Sequence, residues 1–221
     1  MLTKPMLARC LPFAIYILFL AIEDLLGKVL HVSKPDLLWL YPVKISLVMA
    51  ALWYFRHEYD ELRRAMGARA LALSLGVGVL VFVLWINANL PWMLMGEGRG
   101  YDPHTTPDKM NWFLVGTRIF GATLVVPLME ELFYRSFLQR WLVKPDFQQV
   151  DPNAIPYQWL LAVSLVFAVS HTEWFAGVIA GLAYGFLYMK SRNLWTAVFA
   201  HAVTNGVLGV WVLQTGNWQY W

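Results

Sequence analysis

The sequence predicts an all-α, polytopic transmembrane bundle of about seven to eight helices, and three observations carry that expectation. Of 221 residues, 59% are hydrophobic and only 14% charged, against about 25% charged in an average soluble domain. Aromatic residues are abundant, with 12 Trp and 13 Phe. The apolar residues gather into stretches close to the ~20 residues that cross ~30 Å of hydrocarbon. Together these exclude a disordered chain, a nucleic-acid-binding domain and an ordinary soluble globule, and they fit one domain over residues 1–221. The single cysteine, Cys10, excludes an internal disulfide and a Cys-based zinc or iron–sulfur centre. It reads as a small apolar residue at a membrane boundary.

Seven apolar stretches follow in order. The first, 10–31, contains the run Leu11 to Ile22, which leads into Glu23, Asp24 and Leu25 without a small-x-small cleavage site. It reads as a retained span rather than a signal peptide. The second and third, 36–55 and 69–90, are separated by the polar connection 56–69. The fourth, 112–142, follows the connection 96–109 and is too long for one span. After 144–156, rich in Pro, Asp and Gln, come 158–172 and 173–190, which are short and nearly fused, and then 193–214.

An inside N-terminus would place ten cations on the inside: Lys4, Arg9, Arg56, Arg63, Arg64, Arg69, Arg140, Lys144, Lys190 and Arg192. Four would lie outside: Lys28, Lys34, Arg99 and Lys109. The excess inside predicts an N-in, C-out protein of a bacterial or archaeal cytoplasmic membrane. Trp218, Tyr220 and Trp221 then suit an interfacial aromatic anchor.

A charge at the bilayer centre costs about 2.5–3.5 kcal/mol even on lenient insertion scales. Glu23, Asp24, Lys44, Arg118, Glu130, Glu131 and Arg135 nevertheless lie in apolar stretches, with His171 and His201 beside them. Glu23, Asp24, Lys44 and Arg118 are two acids and two bases that can neutralise one another between helices, and Lys28 offers Asp24 an i,i+4 partner. The cluster at 130–135 reads differently. Glu131 and Arg135 are i,i+4 neighbours, whereas the adjacent Glu130 points about 100° away and lacks a local partner. His171, four residues after Phe167, and His201, four before Asn205, supply polar groups from two further helices.

Glutamate, two histidines and an amide suit water activation for hydrolysis. A carboxylate shielded from water takes up a proton more readily and so serves as a general base, a histidine can share the water, and a second histidine with an amide can donate to an oxyanion. Ser136, Ser164 and Ser170 have no Ser-His-Asp or Gly-x-Ser-x-Gly context, and His-Glu-x-x-His is absent. Zinc held by Glu130, His171 and His201 is an admissible alternative.

Glu130-Glu131-x-x-x-Arg135, Phe167-x-x-x-His171 and His201-x-x-x-Asn205, in that order on separate apolar helices, resemble the three motifs of the CPBP family. That family includes the type II CAAX prenyl endopeptidases and bacteriocin-processing or immunity homologues, and the matched core spans 112–210. The compact size and aromatic ends also resemble its exosortase-associated branch. The resemblance implies an intramembrane endopeptidase acting on a membrane-associated, in some members lipidated, protein or peptide. It implies that Glu130 and His171 activate the water, that His201 and Asn205 support the oxyanion, that Arg135 holds Glu131, and that no cofactor is required. Ser136 stands where many members carry Gly. Two other classes compete: a non-catalytic scaffold or immunity protein that keeps the polar cluster for packing, and a transporter, for which no inverted repeat is visible.

Overall fold

The computed structural model describes residues 3–96, 100–106 and 109–221. Among these, seven helices form an antiparallel bundle: α1 (Lys4–Lys28), α2 (Lys34–Tyr54), α3 (Ala68–Asn87), α4 (Trp112–Trp141), α5 (Tyr157–Val169), α6 (Trp174–Ser191) and α7 (Leu194–Thr215). Five of them (α1, α2, α3, α4 and α7) are long and apolar enough to cross a membrane, and the chain is an integral membrane protein. A two-stranded ribbon, His104–Thr106 with Lys109–Met110, is the one sheet among the described residues.

Local chemistry sets the helix ends. Pro5 opens α1, where its missing N–H costs nothing, so the helix starts six residues before the expected boundary and Cys10 lies inside it. Ser33 caps α2, while Asn111 accepts from the N–H groups of Phe113 and Leu114 at the head of α4. Asn193 caps α7, and Gly216 ends it in the left-handed region at φ 70°. The fourth stretch is one unbroken 30-residue helix, widened to i→i+5 geometry at Gly121–Val125 and Leu132–Leu138. The fifth is only 13 residues long, about 20 Å.

One end of the bundle gathers the Lys4 terminus and the segments 55–67, 142–156 and 192–193. Contacts there include Lys4 with Glu58 at 2.6 Å, Arg64 donating to the Arg192 carbonyl at 3.2 Å, and Arg192 with Asp151 at 3.1 Å. The opposite end gathers 29–33, 88–96, 100–106, 109–111, 170–173 and 216–221, joined by Met95 N–H to the Thr172 carbonyl at 2.7 Å and Tyr101 N–H to the Trp218 carbonyl at 3.2 Å. All ten cations assigned to one side by sequence stand at the first end. Lys28, Lys34 and Lys109 stand at the second, and Arg99 lies outside the described residues.

Apolar side chains of α3 such as Leu73, Leu75 and Leu80 face outward, as a lipid-facing surface requires. The interior is built around α4, whose Met129, Leu132 and Tyr134 are buried together with Glu131, Arg135, Ser136 and Gln139. Helix α6 lies tightly on α5 through Gly177, Gly181 and Gly185; a Cβ at Gly181 would stand 2.8 Å from the Ser164 Cα.

Several sequence expectations change. Arg9, counted only as one of the inside cations, is buried and binds both carboxylate oxygens of Glu61, at 3.0 and 2.7 Å. Glu23 pairs with Lys44 at 3.0 Å and Asp24 with Lys28 at 3.3 Å, but Arg118 has no carboxylate partner among the described residues. Trp221 is not a membrane-surface anchor, for it folds inward against Trp218 and Tyr101.

Candidate active site

A cavity of about 1210 Å³ opens at the end opposite Lys4 and runs between the helices to the middle of the bundle. Glu130, Phe167, His171, Tyr184, His201 and Asn205 line its inner part. The structure therefore brings together all four residues expected to do chemistry, whereas Glu131 and Arg135 stand behind the wall.

The two adjacent carboxylates have different surroundings. Glu131, fully buried, receives Arg135 Nε at 3.0 Å and His201 Nδ1 at 2.9 Å. Arg135 in turn donates to the Gly181 carbonyl at 3.1 Å and lies over the Phe167 ring at 4.8 Å. Glu130 is also buried, but its Oε2 has no protein hydrogen-bond partner among the described residues. The i,i+4 pair read from sequence is present. The histidine held by a carboxylate is His201, bound to Glu131.

Both histidines are anchored through the same ring nitrogen. His171, two residues past the end of α5, donates from Nδ1 to the Phe167 carbonyl at 2.9 Å. His201 donates from Nδ1 to Glu131 and stacks on Tyr184 at 4.9 Å. The Phe167 ring bridges them, 4.6 Å from His171 and 5.9 Å from His201. In the neutral rings Nε2 is then the nitrogen with the lone pair. The shortness of α5 leaves His171 on the turn just past its end, recessed into the bundle.

Asn205 is positioned by a defect in α4. The Val126 N–H reaches back five residues to the Gly121 carbonyl. The next bond of that register would join residue 127 to the Ala122 carbonyl, but Pro127 has no N–H. Asn205 Nδ2 donates to that orphan carbonyl at 2.9 Å, leaving its second amide N–H for a ligand. A proline within an apolar stretch, with an Asn on another helix, was the available sequence signal for this contact. Tyr184, whose hydroxyl donates to Thr204 at 2.7 Å, was missed altogether.

Among the described residues no three His, Cys, Asp or Glu side chains are grouped so as to hold a metal ion. Residues 111–207, which contain the whole cluster, match the family model described as Type II CAAX prenyl endopeptidase Rce1-like. No curated protein and no solved structure matches the chain.

Proposed function

We propose, on the premise that residues 111–207 belong to the Rce1-like type II CAAX prenyl endopeptidase family, that this membrane protein hydrolyses a peptide bond of a membrane-associated substrate with a water activated by Glu130. The observation that carries the reading is the contrast within one dipeptide. Each carboxylate has a buried Oε2 without a hydrogen-bond partner among the described residues, but Glu131 is ion-paired with Arg135 and hydrogen-bonded by His201, while Glu130, in the wall of a cavity, has no ion pair among those residues.

In this mechanism Glu130 accepts a proton from water as the oxygen attacks the peptide carbonyl. The free N–H of Asn205 donates to the developing oxyanion. The carbon–nitrogen bond then breaks, and the proton taken by Glu130 passes to the leaving amine. His171 and His201, fixed at Nδ1 by Phe167 and Glu131, offer Nε2 to the water or to the departing nitrogen. The charge count further proposes an inside Lys4 end and a cavity that opens outside.

The test is turnover of lipid-anchored peptides by the full chain in vesicles. Glu130→Gln is expected to lower kcat by about 10²–10⁴-fold while thermal unfolding in detergent stays near that of the wild type, and a metal chelator is expected to leave turnover intact. Undiminished turnover in Glu130→Gln would remove the assignment and favour a packing scaffold. Loss on chelation with recovery on added zinc would overturn the metal-free mechanism.

A further inference from the structure

We infer that Arg118 anchors a carboxylate of the peptide substrate inside the same cavity as Glu130; the inference rests on the protease reading above. Arg118 lies on the spanning helix α4 and lines the cavity. Arg9, Lys44 and Arg135 each meet a carboxylate, at Glu61, Glu23 and Glu131. Arg118 has no carboxylate partner among the described residues, and its Nε is buried without a hydrogen-bond partner. It rests over the rings of Tyr41 and Tyr101, at 4.6 and 5.1 Å, which hold a cation in place without cancelling its charge. Of the acids lining the cavity near its mouth, Glu23 is engaged by Lys44, Asp24 by Lys28 and Asp102 by His104 at 2.6 Å; Glu173, at the start of α6, forms no ion pair with Arg118.

The shape of α4 ties this cation to the site of chemistry. Arg118 and Glu130 are twelve residues apart, which in a regular helix leaves them about 120° out of phase. The widened turn at Gly121–Val125 absorbs one extra residue and brings the difference down to about 20°. Arg118, Ala122, Val126 and Glu130 accordingly form one stripe along the cavity wall. About eleven helical steps separate Arg118 from Glu130, or roughly 16 Å, the length of about five residues of extended peptide. The cavity, at about 1210 Å³, exceeds the ~300–1,000 Å³ of small-molecule sites and has room for such a segment. A guanidinium binds a carboxylate through two parallel N–H donors. The carboxylate is either the substrate's free C-terminus or an Asp or Glu side chain about five residues from the cleaved bond.

Lipid-anchored peptides made in matched pairs test this with the full chain in vesicles. One pair differs as C-terminal acid against amide, the other as internal Asp against Asn. The wild type is expected to prefer the charged member of one pair by about 10–100-fold in KM, with kcat little changed, and the pair that responds identifies the source of the carboxylate. Arg118→Gln is expected to erase the preference and Arg118→Lys to keep part of it. If Arg118→Gln fails to fold, the wild-type comparison and Arg118→Lys decide. Equal cleavage of charged and neutral members by the wild type, or a preference that survives in Arg118→Gln, overturns the inference alone. So does an effect of Arg118→Gln that appears only as altered dependence on anionic lipid, which would assign the cation to a lipid phosphate. Absence of cleavage of any peptide by folded wild type removes the protease reading, and this inference with it.

Discussion

At the scale of single residues, Glu130 and Glu131 are chemically identical and adjacent, yet replacing them should fail in opposite ways. Glu131 compensates Arg135 and orients His201 in the buried interior. Glu131→Gln keeps the shape but leaves the Arg135 guanidinium uncompensated, and breaking such a pair costs about 3–5 kcal/mol. Its expected signature is a marked fall in thermal unfolding temperature in detergent, with activity lost alongside the fold, whereas Glu130→Gln loses activity alone. Equal stability of the two variants would contradict the assignment of structural and chemical roles. The Glu131–Arg135 pair was legible in sequence, because i,i+4 spacing places side chains together on any helix. The partner of His201 was not, because contact between helices depends on their relative rotation and depth, which 70 residues of intervening chain do not encode locally.

At the scale of elements, the seven apolar stretches gave the seven helices because hydrocarbon thickness demands long apolar runs whatever the fold. The first end of α1 moved where a proline decided, at Pro5, whereas the Asn111 cap started α4 at the expected residue. The glycines at 177, 181 and 185, spaced four apart, marked the close approach of α6 to α5. The widened turns of α4 were illegible, since they persist only where neighbouring helices satisfy the backbone groups they release. Pro127 is the lever on the first of them. Pro127→Ala restores an N–H beside the Ala122 carbonyl, which then competes with Asn205 and permits the regular register. The fold should tolerate this, because a helix gains a hydrogen bond, but the Asn205 amide and the Arg118 stripe would both shift. Displacement of about 1 Å can cost about 10²-fold in turnover, so kcat/KM should drop by about that factor with unfolding temperature unchanged or raised. Unaltered kinetics in Pro127→Ala would show that the site does not depend on this turn.

At the scale of the whole molecule, sidedness and access become one question. The cations assigned inside from sequence gather at the Lys4 end, and the cavity opens at the other end, beside Lys28, Lys34 and His104. If cation excess marks the inside, substrate enters from the outside, and the ribbon at His104–Thr106 stands near the entrance. Composition alone could reveal the asymmetry of charge, but only packing reveals which end is hollow: the turn carrying His171, just past the short α5, lines the cavity there. Single-cysteine variants on a Cys10→Ala background separate the alternatives. Thr105 and His57 are both exposed and lie at opposite ends. A membrane-impermeant maleimide applied to intact cells is expected to label Thr105→Cys at once and His57→Cys only after permeabilisation. The reverse pattern would invert the orientation and turn the cavity inward. If the expected pattern holds, adding a bulky group at residue 105 should also slow cleavage of a lipid-anchored peptide supplied from outside, because the label would stand beside the entrance to a cavity whose reacting groups lie half a membrane away.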